Sequence, residues 1–343
     1  MKPERYDEIK EKYPQLNLAV VGDFCLDRYL EINPTLKERS IETGLPVNNV
    51  TNIRAQPGGA GTVAANLGKL GVGNIEAIGF CGDDGEGFEL KRALNNISGI
   101  NLSNFFSSKR RKTFTYCKPL VITRNRYREL SRLDTKNWTP TPGNLSHRLA
   151  QAVKSLHRNI DAIVVLEQSD KAETGVVTEA VRDQLGALSM EREEIPIIVD
   201  SRDSLRKYPQ LSYKMNEAEL KSFLNKDKDM DIKTIQLATS ELAVQHGKPI
   251  FVTLGKRGIV SSDGYGKTNH IPALQASKSI DIVGAGDSVT ANLAASLAAG
   301  ATVYEASLIA MAAANYAIHQ LGTTGAATPN DIRKKLEQIS TIK

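Results

Sequence analysis

The chain's 343 residues are 41% hydrophobic and 24% charged, which is ordinary for a soluble globular enzyme with a large core. Its net charge of +5 suits anionic small molecules and does not require nucleic acid as a partner. The three cysteines form no CxxC pair, and no apolar run approaches the about eighteen residues that a membrane span needs. We therefore expect a cytoplasmic protein with reduced thiols, no membrane segment and no disulfide framework.

Strand and helix patterns alternate along most of the chain. Apolar, strand-like runs lie at 16–22, 75–80, 162–166, 196–199 and 250–253. Helical patterns lie at 62–70, 85–94, 145–157, 173–188, 217–224, 231–246, 287–299 and 303–320, and a last helix begins at 328–331. This alternation predicts an α/β protein with a mostly parallel sheet that helices cover on both faces. Ligands of such sheets collect beyond the carboxyl ends of the strands.

Two β-rich, non-helical excursions, at about 28–55 and about 108–132, interrupt this alternation. We predict that they pair as one small sheet, a lid over the ligand site, within a single domain that spans 1–343. An open lid sheet has edges that need cover, so a homodimer through the lid is a further expectation.

The basic run Lys109-Arg110-Arg111-Lys112 has aromatic neighbours and is compatible with a nucleic-acid patch. A solvated strand or hairpin of the lid is the favoured interpretation, because runs of like charge are usually exposed. We therefore predict that nucleic acid is not a partner.

The segment from Gly59 to Ala64 matches the dinucleotide-binding pattern G-x-G-x-x-A, and Asp83 follows about twenty residues later. That pattern requires a strand running directly into its first glycine. Here Pro57, which cannot donate to a central ladder, precedes it. A glycine turn that brings the backbone close to a polar ligand fits better, and a purely structural turn is a second interpretation. A NAD-linked oxidoreductase is the alternative function that this motif keeps open.

The turn Gly284-Ala285-Gly286 opens the helix predicted at 287–299. Its small residues let backbone N–H groups converge at a helix N-terminus, where the macrodipole also favours an anion. Asp287 stands at the start of this helix. It is either an N-terminal cap or a catalytic base beside an anion site, and spacing alone favours neither.

Three segments, in matching order and spacing, together resemble the ribokinase-like (PfkB) carbohydrate kinases. They are Gly22-Asp23-x-x-x-Asp27-Arg28, Gly58-Gly59-Ala60-x-x-Val63-Ala64-x-Asn66-Leu67 and Asp281-x-x-Gly284-Ala285-Gly286-Asp287. The resemblance extends from about residue 16 to about residue 335. It implies a Rossmann-like three-layer αβα core with a small β-sheet lid, and ATP-dependent phosphorylation of a sugar hydroxyl.

Within that family, further segments are most similar to the kinase half of the bacterial heptose-phosphate kinase/adenylyltransferase proteins. These segments are 42–46, Arg132-Leu133-Asp134 and Leu321-Gly322-Thr323. The adenylyltransferase half of those proteins carries an H-x-G-H motif, and no two histidines of this sequence lie three apart. We therefore expect the kinase activity alone.

The resemblance assigns catalysis to the glycine turn. Asp287 is the base that takes the proton of the attacking hydroxyl, while the amides of Gly284, Ala285 and Gly286 hold the charge on the transferred phosphoryl group. A helix N-terminus lowers the pKa of an aspartate, so we expect Asp287 to be ionised at neutral pH.

The resemblance also implies an acceptor site. Asp27, Gly58 and Gly59 bind sugar hydroxyls, since carboxylates accept hydrogen bonds from diols and glycine permits close backbone approach. Thr62 stands where the family has asparagine, and we expect it to alter the sugar contacts. Basic residues of the lid suit a phosphorylated sugar, because guanidinium groups match phosphate, and solvent-facing side chains are the equal alternative. These residues are Arg124, Arg126, Arg128 and Arg132.

Nucleotide and metal ligands follow from the same resemblance. Asn216 and Glu219 match an N-x-x-E element linked to Mg²⁺, which they would bind through water; an ordinary helix cap is the alternative. Residues that match the nucleotide-binding loop are Thr253, Gly255 and Gly258. Asp281 matches a position that helps to bind a monovalent cation such as K⁺ in some members, and a solvated aspartate is the alternative interpretation.

We therefore predict an ATP- and Mg²⁺-dependent kinase that acts on a sugar or sugar phosphate, with a heptose 7-phosphate-like acceptor as the first choice. A kinase for another hexose or for a nucleoside is the nearest alternative. A non-catalytic sugar-binding regulator on the same scaffold is a third, although the presence of Asp287 argues against it.

Overall fold

A computed structural model describes residues 1–343 apart from 124–125, 158, 203–204, 227, 276–278, 321, 323 and 342–343. The strands of the described residues are β1 (Asn17–Gly22), β2 (Phe24–Arg39), β3 (Pro46–Gly59), β4 (Asn74–Gly82), β5 (Ile100–Asn101), β6 (Phe105–Ser108), β7 (Thr115–Thr123), β8 (Arg126–Glu129), β9 (Leu133–Thr135), β10 (Ala162–Glu167), β11 (Ile197–Ser201), β12 (Ser212–Asn216), β13 (Ile250–Thr253), β14 (Ile259–Ser262) and β15 (Thr268–Ile271). The α-helices are α1 (Pro3–Lys10), α2 (Ala60–Leu70), α3 (Gly85–Leu94), α4 (Gly143–Ser155), α5 (Glu179–Glu191), α6 (Glu217–Phe223), α7 (Ile232–His246), α8 (Ala285–Ala298), α9 (Val303–Ala317) and α10 (Pro329–Thr341).

The central sheet has the strand order β15-β14-β13-β12-β11-β10-β1-β4-β5, and β6 pairs with β4. Neighbouring strands are parallel from β13 to β5, whereas β14 and β15 add an antiparallel edge. The strands β1, β10, β11, β12 and β13 therefore all end at the same edge of the sheet.

Helices cover both faces of this sheet. In β1, Leu18 and Val20 pack into a core shared with α1, α2, α3, α8, α9 and α10. The alternate residues, Ala19 and Val21, pack into a second core shared with α4, α5, α6 and α7. Alternating side chains that are buried on both faces are what a parallel sheet requires, and the predicted three-layer αβα core is confirmed.

The two excursions pair as one five-stranded sheet, as predicted. Its order is β3-β2-β7-β8, with β9 paired to β7. The strands β2 and β3 form a long antiparallel hairpin, and β2 pairs with β7 in parallel. The hairpin extends beyond the predicted limits at both ends, since its strands run from Phe24 to Gly59.

Asp23 is the single residue between the last residue of β1 and the first residue of β2. Its carboxylate accepts hydrogen bonds from the backbone N–H groups of Gln168 and Ser169, at 2.9 Å each, and of Val176 at 2.7 Å. These bonds hold the segment after β10 in turns. The helix predicted at 173–188 therefore begins only at residue 179.

Five strands of the central sheet were not predicted, because their sequences lack an apolar run; they are β5, β6, β12, β14 and β15. The strand β12 reads Ser-Tyr-Lys-Met-Asn, and its Lys214 is buried through an ion pair that the sequence does not reveal. The hairpin strands β14 and β15 are short and rich in serine, threonine, asparagine and histidine.

The longest described helices, α7 and α9, have 15 residues each. None of the described helices is both long and apolar enough to cross a membrane.

We expect Gly22→Ala to destabilise the fold. Gly22 pairs with Leu166 across the two central strands β1 and β10, and an added Cβ would overlap the Leu166 carbonyl oxygen. Relieving that overlap must displace one of these strands, so the free energy of unfolding should fall by about 1–3 kcal/mol in equilibrium urea denaturation. Gly143→Ala is the control, because a Cβ there meets no atom within 4 Å. A similar effect of both substitutions would contradict this explanation.

Candidate active site

The predicted site residues collect at the carboxyl edge of the central sheet. Asn216 ends β12 and pairs in register with Thr253, which ends β13. The glycine turn that begins α8 faces the same edge, since Lys214 of β12 lies against Gly286. A short β-branched run precedes this turn. It forms no strand, and Ile282 within it is 72% exposed.

The glycine turn has the conformation of an anion site, except that the Ala285 N–H has a backbone acceptor. Gly284 has φ +79°, in the left-handed region that favours glycine, and an added Cβ would lie 3.0 Å from Cβ of Thr324. The Ala285 N–H donates to the carbonyl oxygen of Ile282 at 3.2 Å, so a bond from it to a phosphoryl group would compete with this turn bond, and its predicted role stays a prediction. Within the described residues, the N–H groups of Gly284 and Gly286 have no backbone acceptor.

A buried ion pair lies under this turn. Nζ of Lys214 is 2.7 Å from Oδ2 of Asp200, which also accepts a hydrogen bond of 3.1 Å from the Thr290 hydroxyl. Burial lowers the pKa of Lys214, but the Asp200 carboxylate outweighs that effect and the pKa is raised overall. A Cβ on Gly286 would lie 3.2 Å from Nζ, so glycine lets the ammonium approach the turn.

Sequence reasoning missed both members of this pair. Lys214 stands two residues before Asn216 and Asp200 stands next to the last residue of β11. The sequence signal for this pair is a charged residue near the end of each strand. Charged residues are common at solvated strand ends, so this signal does not distinguish a buried ion pair. Their burial, at 5% and 9% exposure, follows from the pairing of β11 with β12.

The pKa of Asp287 is raised to about 7, so the expectation that it is fully ionised at neutral pH is wrong. Burial is the largest cause and the nearby Asp200 carboxylate adds to it, while Lys214 and Arg202 act in the opposite direction. A helix N-terminus stabilises a carboxylate by about 0.3–1 kcal/mol, which is less than a desolvation of this size.

Asn216 and Glu219 form a capping box at the start of α6. The Asn216 side chain accepts from the Glu219 N–H at 2.9 Å, and the Glu219 carboxylate accepts from the Asn216 N–H at 2.7 Å. The capping alternative therefore describes these two side chains in the free protein. Burial, and then the Asp200 charge, raise the pKa of Glu219.

The carboxyl groups of Asp200, Glu219 and Asp287 indicate whether a divalent cation fits this site. Asp200 raises the pKa of both Glu219 and Asp287, so its carboxylate lies close enough to each of them to repel their charges. Among the described residues, no group of three or more His, Cys, Asp or Glu side chains has the geometry of a metal site. A Mg²⁺ ion that keeps most of its water and binds ATP phosphates fits this arrangement better than a site made of protein ligands alone.

The predicted nucleotide loop is a tight turn after β13. The Thr253 hydroxyl donates to the carbonyl oxygen of Met215 at 3.3 Å. Gly255 and Gly258 have φ +55° and +96°, and a Cβ on Gly258 would overlap the carbonyl oxygen of Ile271. Glycine is therefore required at Gly258, and the loop backbone is exposed next to Asn216.

Asp27 and Gly58 lie together on β2 and β3. A Cβ on Gly58 would be 3.1 Å from Cγ of Asp27, so glycine avoids a close contact with this carboxylate, which is 6% exposed. Burial raises the pKa of Asp27, and Lys118, 3.6 Å away, partly offsets this effect. Because the Asp27 charge also raises the pKa of Asp287, the two aspartates belong to one cleft.

Gly59 has φ +57°, and a Cβ there would lie 2.5 Å from the Asp23 carbonyl oxygen. Thr62 is 1% exposed and its hydroxyl donates to the carbonyl oxygen of Pro57 at 3.3 Å. A sugar could contact that hydroxyl only as a hydrogen-bond donor to its oxygen, and the predicted role of Thr62 stays a prediction.

The segment at Gly59 is also not a dinucleotide fingerprint. The preceding strand is β3, which belongs to an antiparallel hairpin of the second sheet. The fingerprint instead requires a parallel strand of the core running into the helix.

Arg132 is paired within the second sheet. Its guanidinium makes two contacts of 2.7 Å with the Asp134 carboxylate and lies 4.9 Å from the centre of the Tyr116 ring. Arg124, Leu321 and Thr323, which the sequence also indicated, lie outside the described residues. A role for Arg132 toward a phosphorylated sugar stays a prediction.

The Asp281 side chain connects two loops by hydrogen bonds. Its Oδ1 accepts from the Val283 N–H at 3.0 Å, and its Oδ2 accepts from the Gly322 N–H at 3.2 Å. Each oxygen keeps one further acceptor position, so the predicted contact with a monovalent cation stays a prediction.

The basic run at 109–112 is not a solvated strand at every position. Arg111 is 4% exposed, and its guanidinium donates to the carbonyl oxygens of Thr139 at 2.9 Å and of Thr174. It also lies over the Phe80 ring. One of the four cations is thus a structural residue between loops.

Residues 16–331 match the pfkB family of carbohydrate kinases. Among curated relatives, the bifunctional protein HldE of Gluconobacter oxydans is 31% identical over 324 residues, which cover 94% of this chain and 65% of the relative. HldE of Magnetococcus marinus is 32% identical over 331 residues, covering 96% of this chain and 65% of the relative. The chain therefore spans just under two thirds of the length of these relatives.

Solved structures share the fold. A ribokinase of Arabidopsis thaliana, complexed with ribose and ATP, has a TM-score of 0.69 at 20% identity, covering 94% of this chain and 99% of that one. Phosphofructokinase-2 of Escherichia coli, in complex with fructose-6-phosphate, has a TM-score of 0.72 at 18% identity, covering 95% and 99%.

Family match and fold thus define the class of protein, a carbohydrate kinase. The chain belongs to the PfkB family of carbohydrate kinases. The predicted family and the predicted similarity to the bifunctional heptose-phosphate kinase/adenylyltransferase proteins are both confirmed.

We expect Asp287→Asn to stabilise the protein, and increasingly so between about pH 4 and about pH 7. The pKa of Asp287 is 3.8 ordinarily and about 7 in the folded chain, so in this interval the folded state binds a proton that the unfolded state has released. The wild-type free energy of unfolding therefore falls as the pH rises, by roughly 2–4 kcal/mol, and asparagine abolishes this loss.

Equilibrium urea denaturation at about pH 5 and about pH 8 measures the effect. Asp183→Asn, at an exposed position of α5, is the matched control. A stability difference between Asp287→Asn and the wild type that does not change with pH would contradict the raised pKa.

Proposed function

We propose that this kinase transfers the γ-phosphoryl group of ATP to a hydroxyl of a phosphorylated sugar, with a heptose 7-phosphate-like molecule as the first candidate. The observation that carries the chemistry is the position of Asp287 beside the free Gly286 N–H and above the Lys214 ammonium. The acceptor rests on the similarity to the HldE proteins, which are 30–32% identical to this chain.

Asp287 acts as the general base in this proposal. A base is most effective when its pKa lies near the working pH, and the pKa of Asp287 is about 7. Its ionised form accepts the proton of the sugar hydroxyl as the oxygen attacks phosphorus. Within the described residues, no side-chain donor occupies its carboxylate, so both oxygens are available to the acceptor.

The phosphoryl group is held from the opposite side. The N–H groups of Gly284 and Gly286 and the Lys214 ammonium supply positive charge where negative charge is transferred. Because Asp200 fixes the ammonium, the donor arrangement exists before the substrates bind.

Mg²⁺ fits the acidic edge of the site. When bound, it would neutralise charge on the ATP phosphates. Glu219 and Asn216 would hold it through water, as their capping bonds leave further acceptor positions on both side chains.

The acceptor would bind between the second sheet and the central sheet. The Asp27 carboxylate would accept hydrogen bonds from two sugar hydroxyls, and Gly58 leaves space for the ring against that carboxylate. We therefore assign Asp27, Gly58 and Gly59 to the sugar and Asn216, Thr253, Gly255 and Gly258 to the nucleotide and its metal.

A thermal-shift screen tests the function. Ligands present at about 100 times their Kd stabilise a protein by about 2.7 kcal/mol. We expect ATP with Mg²⁺ and at least one sugar phosphate to raise the melting temperature, while NAD has no effect. Stabilisation by NAD alone would instead favour the oxidoreductase alternative.

Asp287→Asn should keep the binding of ATP and of the sugar phosphate while phosphoryl transfer falls by several orders of magnitude. The amide has a similar shape but cannot accept the hydroxyl proton. A coupled assay of ADP release measures turnover, and calorimetric titration measures binding, with Asp183→Asn as the control. Near-normal turnover would exclude Asp287 as the base.

We also propose a homodimer through the second sheet. Large apolar side chains are exposed along the β2–β3 hairpin, namely Leu36 (49%), Ile41 (99%), Leu45 (65%) and Ile53 (50%). Scattered exposed apolar residues are common, whereas a cluster on one hairpin marks an interaction surface.

Ile41→Lys combined with Leu45→Lys should convert the dimer to a monomer, because burying either ammonium would cost more than the hydrophobic contact contributes. Light scattering coupled to size-exclusion chromatography measures the mass. Tyr265→Lys, at a residue that is 96% exposed in the β14–β15 turn, is the control. A double variant that remains dimeric would place the interface elsewhere.

A further inference from the structure

Most cations around the cleft are neutralised by a carboxylate. The pairs, with their closest N–O distances, are Lys118–Asp27 (3.6 Å), Arg132–Asp134 (2.7 Å), Lys136–Asp170 (2.6 Å) and Lys214–Asp200 (2.7 Å). Arg202 differs. In the part of the chain that the structure describes, its exposed guanidinium has no hydrogen bond and no ion pair.

The backbone places Arg202 at the centre of the carboxyl edge. It directly follows Ser201, the last residue of β11, and its N–H donates to the carbonyl oxygen of Glu167 at 3.1 Å. Two residues earlier, Asp200 holds the Lys214 ammonium under the glycine turn. Arg202 is thus anchored by its main chain while its side chain is free.

The Arg202 charge affects the pKa values of four groups on four different elements. Toward the nucleotide side, it lowers the pKa of Asp287 on α8 and of Glu219 on α6. Toward the acceptor side, it lowers the pKa of Cys25 on β2 and of Tyr116 on β7. A charge that acts on all four groups lies near both sides of the cleft.

We propose that Arg202 is a specificity-determining residue that binds a phosphate group held between the nucleotide and acceptor sides of the cleft. This inference rests on the proposed function and adds a ligand contact that the sequence did not indicate. A guanidinium donates two parallel hydrogen bonds to phosphate oxygens, which a lysine ammonium cannot reproduce. Because no carboxylate holds Arg202, binding phosphate does not require an existing ion pair to break.

The proposed reaction offers two sources for this phosphate. It is either the phosphate that the acceptor sugar already carries or the γ-phosphoryl group of ATP. In the first case Arg202 selects phosphorylated acceptors. In the second it assists transfer whatever the acceptor.

Arg202→Gln and Arg202→Lys test the proposal, with Lys69→Gln as the matched control. Lys69 is exposed in the last turn of α2, at the opposite edge of the sheet, and its loss removes one positive charge as well. Calorimetry should measure the Kd of a sugar phosphate, of the same sugar without phosphate, and of a non-hydrolysable ATP analogue and ADP. Steady-state kinetics should give kcat and KM.

If the acceptor phosphate is the ligand, Arg202→Gln should weaken sugar-phosphate binding about 10- to 100-fold and leave the unphosphorylated sugar and both nucleotides unchanged. If the γ-phosphoryl group is the ligand, the ATP analogue but not ADP should bind more weakly, and kcat should fall with every acceptor. Arg202→Lys should recover part of either loss, because lysine keeps the positive charge but lacks the two parallel N–H donors of a guanidinium group.

The pH profile is a readout that a merely structural role would not change. Without the Arg202 charge, the rising limb of kcat/KM near pH 7 should move to higher pH, because that charge lowers the pKa of Asp287. Constants equal to those of Lys69→Gln for all ligands would overturn the assignment of Arg202. A wild-type protein that binds neither ATP nor any sugar phosphate would overturn the proposed function itself, and this inference with it.

Discussion

The ion pair between Lys214 and Asp200 is the interaction on which the site depends. An ammonium that is 5% exposed is stable only with a carboxylate beside it, and breaking such a pair by removing one partner costs about 3–5 kcal/mol. The pair ties β11 to β12 and, through Thr290, ties both to α8. Sheet edge, helix and glycine turn are thereby fixed relative to one another.

The charges of the site also explain its pKa values. Burial and Asp200 raise the pKa of Asp287 more than the helix N-terminus, Lys214 and Arg202 lower it. A protonated fraction near neutral pH avoids a further negative charge close to Asp200, whose own charge Lys214 neutralises. A bound cation would reduce that repulsion, so the proposed base and the proposed metal site are electrostatically linked.

Sequence patterns predicted the alternation of strands and helices, the second sheet and the glycine turn, because each depends on local periodicity or on a residue with special backbone freedom. They did not predict β12, the Lys214–Asp200 pair or the burial of Arg111, because each depends on a partner that is distant in sequence. Thr62 shows the same limit, since its bond to Pro57 follows from how β3 meets α2. The cytoplasmic location, the single domain and the site roles stay predictions.

The joint at Asp23 has a mechanical consequence. Only this residue separates the core strand β1 from β2, and three backbone amides clamp its carboxylate. Asp27 lies four residues from the joint, about 13 Å along an extended strand, whereas Arg39 lies about four times farther. A rotation of the second sheet about Asp23 would therefore move the hairpin tip through a wide arc while the Asp27 carboxylate moves little. The hairpin would act as a lever whose short arm carries the carboxylate that we propose binds the sugar.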